Sequence, residues 1–467
     1  MTDAHAPVMR LGDVAEVKAG FGFPEYLQGK TTGSYPFYKV GDISEAWKAK
    51  QVGLVAAHHY VDDADLPTLK ARPLPAGAIV FAKIGAAIGL NRRCVLTKPA
   101  LVDNNVFGLV PKHGVANTKY LFQFMCSVDL MPLARATTVP SLRKGDVEEL
   151  RLPMPSLARQ QQIADYLDEQ LSRLDASVAA LHRVQANLKR YRASVLKSAC
   201  EGRLVPTEAE LAHHEGRIFE TGEQLLQRIV ADREARIPAR GRVKQSVPIE
   251  SSLLPSSPEG WAWASVDQLS APEPNSITDG PFGSNLKSEH YTESGPRVIR
   301  LQNIKDGEFA DEYAHIAEER FIRLAKHQVF PGDLVIATLG EAPPRACLIP
   351  AKLGSAIVKA DCVRFKPHPD MLPTFANLVL NAEPTRKRVK GLLHGVGRPR
   401  LSLGELRAVA IPLPPLAEQL RIVAEADRRL SLIRVAEAQV ATNLARAQRL
   451  RQSILQAAFR TPAQAGQ

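Results

Sequence analysis

The chain repeats itself, and the form of the repeat limits the folds open to it. At an offset of 259 residues, VPSLRKGDVEELRLPMPSLARQQQI (139–163) matches the stretch that follows Gly397 and ends at Ile422. Nine of 25 positions are identical: Pro140/Pro399, Leu142/Leu401, Gly145/Gly404, Pro153/Pro412, Pro155/Pro414, Leu157/Leu416, Ala158/Ala417, Gln160/Gln419 and Ile163/Ile422. Chance would give about two. The same offset goes on to pair Leu171 with Leu430, Arg192 with Arg451, Ser194 with Ser453, Leu196 with Leu455 and Ala199 with Ala458. Upstream the offset drifts. LPAGAIVFAKIG (74–85) pairs with VFPGDLVIATLG (329–340), FYKVGDI (37–43) with VIRLQNI (298–304), and LGDVAEV (11–17) with WASVDQL (263–269). Two long copies in one order are two pseudo-symmetric halves, not a solenoid.

Each half is a globular part followed by a long helix. In the globular parts, short apolar runs such as AGAIVFAKIG, NVFGLVP, VFPGDLVIATLG and AIVKADCVRFKP are broken by Gly and Pro and read as strands. TKYLFQFMCSV (118–128) and LPTFANLVLNA (372–382) read as short amphipathic helices on a sheet. The expected fold class is α/β: two mixed α/β domains, at 1–152 and 259–411, separated by a pair of long antiparallel coiled-coil helices at 153–202 and 412–460. The stretch 203–258 has no counterpart and reads as a linker with a short helix at 222–236 and a Pro-rich tail.

The long helices carry narrow apolar seams. The first runs through Ile163, Leu167, Leu171, Leu174, Val178, Leu181, Leu188 and Val195, interrupted by Gln185 and Arg192. The second runs through Ile422, Leu430, Ile433, Val440, Leu444, Ala447 and Ile454, interrupted by Glu437 and Arg451. Each helix of about 40 residues spans about 60 Å, and so narrow a seam needs a partner. The other copy is the expected one. An antiparallel pair would set the two globular domains at opposite ends.

No residue set for catalysis stands out. There is no Gly-rich phosphate loop and no Asn-Pro-Pro segment. Asp62, Asp63 and Asp65 lack a neighbouring Lys and read as solvated, and His58 and His59 lack partners at ligand spacing and read as surface or partly packed. Five widely spaced cysteines without a CxxC pair read as reduced thiols. MTDAHAPVMR does not read as a signal peptide and no run is long enough to span a membrane, so a cytoplasmic location is expected. Lys plus Arg is 60 against 49 acids, a balance of +11 that favours a polyanionic partner. Arg92, Arg93, Lys98, Arg135, Arg143 and Lys144 are the basic groups of the first copy. The second carries TRKRVKGLLHGVGRPRLSLGELR (385–407), which reads as a flexible basic loop. Two DNA-binding heads on one face of a duplex would set half-site centres about 34–36 Å apart.

At this point the sequence closely resembles the specificity subunits of type I restriction-modification systems. PEGWAW (258–263), ITDGPFGSNLKSEHYTESGPRVIRLQNIKDGEF (277–309), HQVFPGDLVIATLGE (327–341) and AIVKADCVRFKP (356–367) resemble one subclass of their target recognition domains. LPMPSLARQQQIADYLDEQLSRLD (152–175) and IPLPPLAEQLRIVAEADRRL (411–430) resemble the entries to their spacer helices, and LKSACEGRLVPTE (196–208) the exit from the first. The first copy departs, with KAGFGFPEYLQGKTTGSYPF (18–37) in place of the GPFGS block.

The resemblance implies a non-catalytic subunit that reads an asymmetric bipartite site on double-stranded DNA. It also implies two modification subunits carrying S-adenosylmethionine, which methylate adenine N6, and restriction subunits using ATP and Mg2+; no cofactor belongs to this chain. Candidate DNA-contacting residues in the first head are Tyr35, Lys39, Lys83, Arg92, Arg93, Arg135 and Arg143. In the second they are Ser284, Asn285, Lys287, His290, Tyr291, Gln302, Asn303, Arg386, Lys387 and Arg388. Two rival readings stay open. One is the recognition subunit of a related system that cuts near its site. The other is a coiled-coil adaptor that binds no DNA.

Overall fold

The computed structural model describes residues 6–135, 138–236, 249, 254–395 and 397–460. It divides into two compact units, residues 1–183 with 440–467 and residues 184–439. Each holds one globular head and half of each long helix.

The first head is built on a five-stranded sheet in the order Ala15–Ala19, Val106–Pro111, Ile79–Ala82, Arg93–Leu96 and Gly53–Leu54. Beside it lies a three-stranded sheet of His59–Val61, Tyr35–Tyr38 and Leu101–Val102. The second head repeats this plan. Ile277–Asp279, Cys362–Phe365, Leu334–Ala337 and Arg345–Leu348 form the first four strands in the same order. Its other sheet places His315–Ile316, Tyr291–Ile299 and Ala356–Val358 in the corresponding order and adds Gln328–Val329. In both heads the entering strand closes antiparallel on the strand that leaves for the long helix. Val8–Arg10 pairs with Arg151–Pro153, and Ala262–Ser265 with Ala410–Leu413.

Backbone bonds correct the repeat register at its start. The Leu11 N–H donates to Leu150 O at 2.7 Å, and Val266 N–H donates to Val409 O at 3.0 Å. Since 150 and 409 are related by the offset of 259, Leu11 corresponds to Val266. The expected pairing with Trp263 is three residues out of register. The expected head helices form as Thr118–Ser127 and Pro373–Asn381.

The two long helices are Leu157–Cys200 and Leu416–Phe459, each of 44 residues. Gln160 and Gln419, an identical pair of the repeat, fasten each helix to its head. Gln160 Oε1 accepts from Asn117 N at 2.8 Å, and Gln419 Oε1 accepts from Leu372 N at 3.0 Å. Asn117 and Leu372 are the N-caps of the two head helices. Each Gln side chain also donates to a Pro carbonyl at the start of its own helix, that of Pro155 or Pro414. Both glutamines are buried with every named partner in place, as a buried amide requires.

Within the first unit the helix segments run antiparallel. Asp175 pairs with Arg451, and nearer the head the Phe459 ring meets Tyr120 and Phe124 edge-on at 5.1 and 5.5 Å. The second unit repeats this, with Arg192 against Glu437 at 2.8 Å and Arg421 reaching back to Glu208. Three of the four residues that interrupt the apolar seams are therefore spent on cross-helix ion pairs. Ile163, Leu167, Leu171, Ile422, Ile433 and Val440 are buried. Leu174, Val178, Leu181, Leu188, Leu430, Leu444 and Ile454 are half-buried.

The segment after the first helix folds as two helices, Glu208–Glu215 and Gly222–Arg236; only the second was expected. Trp261 Nε1 and the Glu208 N–H both donate to the buried Glu418 carboxylate. The Pro-rich stretch 237–253 lies outside the described residues except for Ile249. No described helix is long and apolar enough to cross a membrane.

Candidate nucleic-acid interface

In each head the central strand runs into a glycine turn held by a short hairpin. Gly85 N–H donates to Pro140 O at 2.8 Å, and Gly340 N–H donates to Pro399 O at 3.1 Å. The hairpins pair Arg135 with Ser141 and His394 with Arg400, equivalent positions at the offset of 259. A second loop crosses close by. A Cβ on Gly20 would lie 2.0 Å from Asp103 O, and one on Gly280 would lie 2.1 Å from the Lys359 carbonyl carbon. KAGFG of the first copy thus occupies the place of DGPFG in the second. One glycine of the block, Gly20 for Gly280, is kept although the rest is replaced, because only glycine lets the two backbones approach so closely.

In the second head these loops frame a surface depression of about 390 Å³, lined by Asp279, Phe282, His394, Arg400, Ser402 and Leu403. Ser284 and Asn285 stand exposed in the adjoining turn Gly283–Asn285. Lys287 N–H donates to His290 Nδ1 at 3.0 Å, and Lys359 Nζ donates to the Tyr291 hydroxyl at 2.9 Å. Gln302 is exposed and bonds Glu312. Asn303 is buried, donating to the carbonyls of Ala310 and Glu312. It orders its loop and presents nothing to a ligand.

The expected basic loop is in part a helix. Glu383–Val389 is helical, with Pro384 in its first turn and a Glu383–Lys387 pair at 2.8 Å. Arg386 is tied to Asp306 and to Pro344 O. Arg388 lies over the Trp263 ring at 4.9 Å and donates to Ala410 O and Thr385 Oγ1. Burial lowers its pKa, so this guanidinium serves the head and not the surface. Of the three, Lys387 alone is exposed.

In the first head, Lys83, Arg135 and Arg143 gather at the Gly85 turn. Leu142 N–H donates to Lys83 O at 2.9 Å, Arg135 pairs with Asp146 at 2.9 Å, and Arg143 is exposed. Tyr35 and Lys39 lie on the neighbouring sheet. The Tyr35 hydroxyl donates to Asp63, and Lys39 lies over Phe23 while donating to Gln28. Arg92 is half-buried. Arg93 is fully buried and donates to Asn91 O and Val128 O, both at 2.7 Å. It is a structural arginine, which corrects its place among the DNA contacts.

The candidate contacts leave out Phe282, Asp361 and Arg400, although Arg400 lies in the basic stretch 385–407. The signal was available: Arg400 replaces Ser141 between two identical flanks, Pro140/Pro399 and Leu142/Leu401. Among the described residues no group of three or more His, Cys, Asp or Glu is placed to hold a metal ion.

Asp279 gives the depression a pH signature. Burial pushes its carboxyl up to about 6, and the neighbouring Asp361 adds to this. Between about pH 4 and 6 the folded head keeps a proton that an unfolded aspartate has released. The site therefore loses stability as pH rises through that window. Asp279→Asn is expected to match the parent at pH 4 and to exceed its stability by about 1–2 kcal/mol at pH 7.5. Urea unfolding at the two pH values checks this; equal stability at pH 7.5 would reject it.

Residues 6–186 match the family model of the type I restriction modification DNA specificity domain. Over that span the chain resembles a type I DNA specificity domain. It is 26% identical to the type I restriction enzyme EcoDI specificity subunit of Escherichia coli over 70% of its own length and 65% of that protein. Thus it spans just under two thirds of that relative. The EcoBI specificity subunit of Escherichia coli is 22% identical over 96% of this chain and 84% of its own. One solved structure, described as the basis of complex assembly and conformational transition of the type I R-M system, covers 96% of each chain. Its TM-score is 0.55 and its identity 17%. This last likeness is one of fold.

Proposed function

We propose that this chain reads DNA for a type I restriction-modification complex and catalyses nothing itself. The observation that carries the reading is the pair of matching turn-and-hairpin surfaces, one per head, in a family named for DNA specificity. The heads, 1–152 and 259–411, act as target recognition domains, with spacer helices at 153–202 and 412–460 and a linker at 203–258. The surfaces differ in side chains, so the heads read different half-sites of an asymmetric bipartite target. Tyr191, Leu432 and Val435 are 47%, 60% and 70% exposed on the long helices, where a partner can cover them. That suits two adenine-N6 methyltransferase subunits, one per half, with restriction subunits completing the assembly.

The test is the salt dependence of duplex binding by the full chain with its modification subunit. Arg143→Ala and Lys387→Ala should each reduce the slope of log K against log salt by about 1. Slopes equal to the parent's would remove both residues from the phosphate backbone. Absence of any duplex binding would reject the function.

A further inference from the structure

The depression of the second head holds a three-residue arrangement that the first head lacks. Arg400 Nε lies 2.7 Å from Asp361 Oδ1, and the guanidinium carbon lies 5.2 Å from the centre of the Phe282 ring. The carboxylate lies against Nε and the ring lies by one face. The side chain nonetheless stays 47% exposed, and Phe282 is itself 44% exposed. An arginine oriented in this way gives up little freedom when its two terminal nitrogens form a fork.

The surroundings choose between the two DNA groups such a fork can meet. Asp279 and Asp361 both face Arg400, so a phosphate entering here would meet two carboxylates, and Asp361 already balances the arginine's charge. A neutral base edge carries no such penalty. Guanine offers O6 and N7 side by side in the major groove, the acceptor pair that fits an arginine fork.

We infer that Arg400, oriented by Asp361 and Phe282, reads a guanine in the half-site bound by the second head. The inference rests on the DNA-reading function proposed above. Arg400 is the recognition residue, and Asp361 and Phe282 position it. In the first head the equivalent of Arg400 is Ser141. Asn105 takes the place of Asp361, since Lys83 N–H donates to Asn105 O as Thr338 N–H donates to Asp361 O. This guanine contact therefore belongs to one half-site only.

The experiment compares the full chain with Arg400→Gln, Arg400→Lys and Asp361→Asn variants, each with its modification subunit. Adenine methylation is mapped, and binding is measured on duplexes randomised at each half-site position. The parent should require guanine at one position of the second head's half-site. Arg400→Gln should lose discrimination there by roughly 10- to 100-fold and leave the other half-site unchanged. Arg400→Lys keeps the charge but not the fork, so it should hold affinity and lose most of the discrimination. It also carries the test if the glutamine variant does not fold. Asp361→Asn should relax the same position less.

A uniform loss across sequences with a salt slope lower by about 1 would make Arg400 a phosphate contact and overturn the inference. So would unchanged preference in both arginine variants, or a half-site without guanine. Loss of both half-sites in the parent would instead overturn the DNA-reading function and this inference with it.

Discussion

Gly20→Ala and Gly280→Ala are each expected to destabilise their head by about 3 kcal/mol or more. The added methyl carbon would overlap Asp103 O in one head and the Lys359 carbonyl carbon in the other, at 2.0 and 2.1 Å. Both obstacles are backbone, so no rotamer change can relieve them. The control lies two residues away: a Cβ on Gly22 meets nothing within 4 Å, so Gly22→Ala should change stability by less than about 0.5 kcal/mol. Urea unfolding of the full chain separates the cases. Equal midpoints for the Gly20 and Gly22 variants would mean that the loop crossing is not as close as described.

Leu167→Ala is expected to cost about 3 kcal/mol. Leu167 is fully buried in the first head's core with Tyr120, Leu121, Phe124 and Phe459, so its truncation opens a cavity where head and both helix segments meet. Leu174→Ala, one turn pair further along the same seam, should cost only about 1 kcal/mol because Leu174 is half-buried. The ratio of the two effects, read from thermal or urea unfolding, measures how far the head core extends along the helix. Equal effects would place the main packing between the helices alone.

The repeat shows which parts of this architecture a sequence can display. From Leu157 on the offset never changes, because a continuous helix admits no insertion without rotating its apolar face. Identical glutamines 259 apart accordingly make equivalent bonds to their heads. Upstream the heads absorb insertions in loops, and the true start of the repeat is marked by cross-strand bonds to Leu150 and Val409, which local pattern does not reveal.

The candidate interface was legible by region and less so by residue. Arg92 and Arg93 read alike as a basic pair, yet Arg93 points into the head, where the Val128 carbonyl from 35 residues away accepts a hydrogen bond from it. TRKRVK read as a loop because of the glycines that follow it. Pro384 and the Glu383–Lys387 pair start a helix there instead. Asn303 is polar and sits in a loop, but its amide is consumed by two carbonyls. For Arg93 and Asn303 the deciding partner is distant in sequence or belongs to the backbone; at Pro384 the signal is local.

The central claim is that two unlike heads on one chain select one split DNA site. The direct test is a genome-wide map of N6-methyladenine in cells that express this chain with its modification subunit, set beside cells lacking only this chain. The account predicts a motif of two short, different half-sites with an unread gap, methylated only when the chain is present. A methylation pattern that does not depend on the chain, or a motif with two identical half-sites, would contradict it.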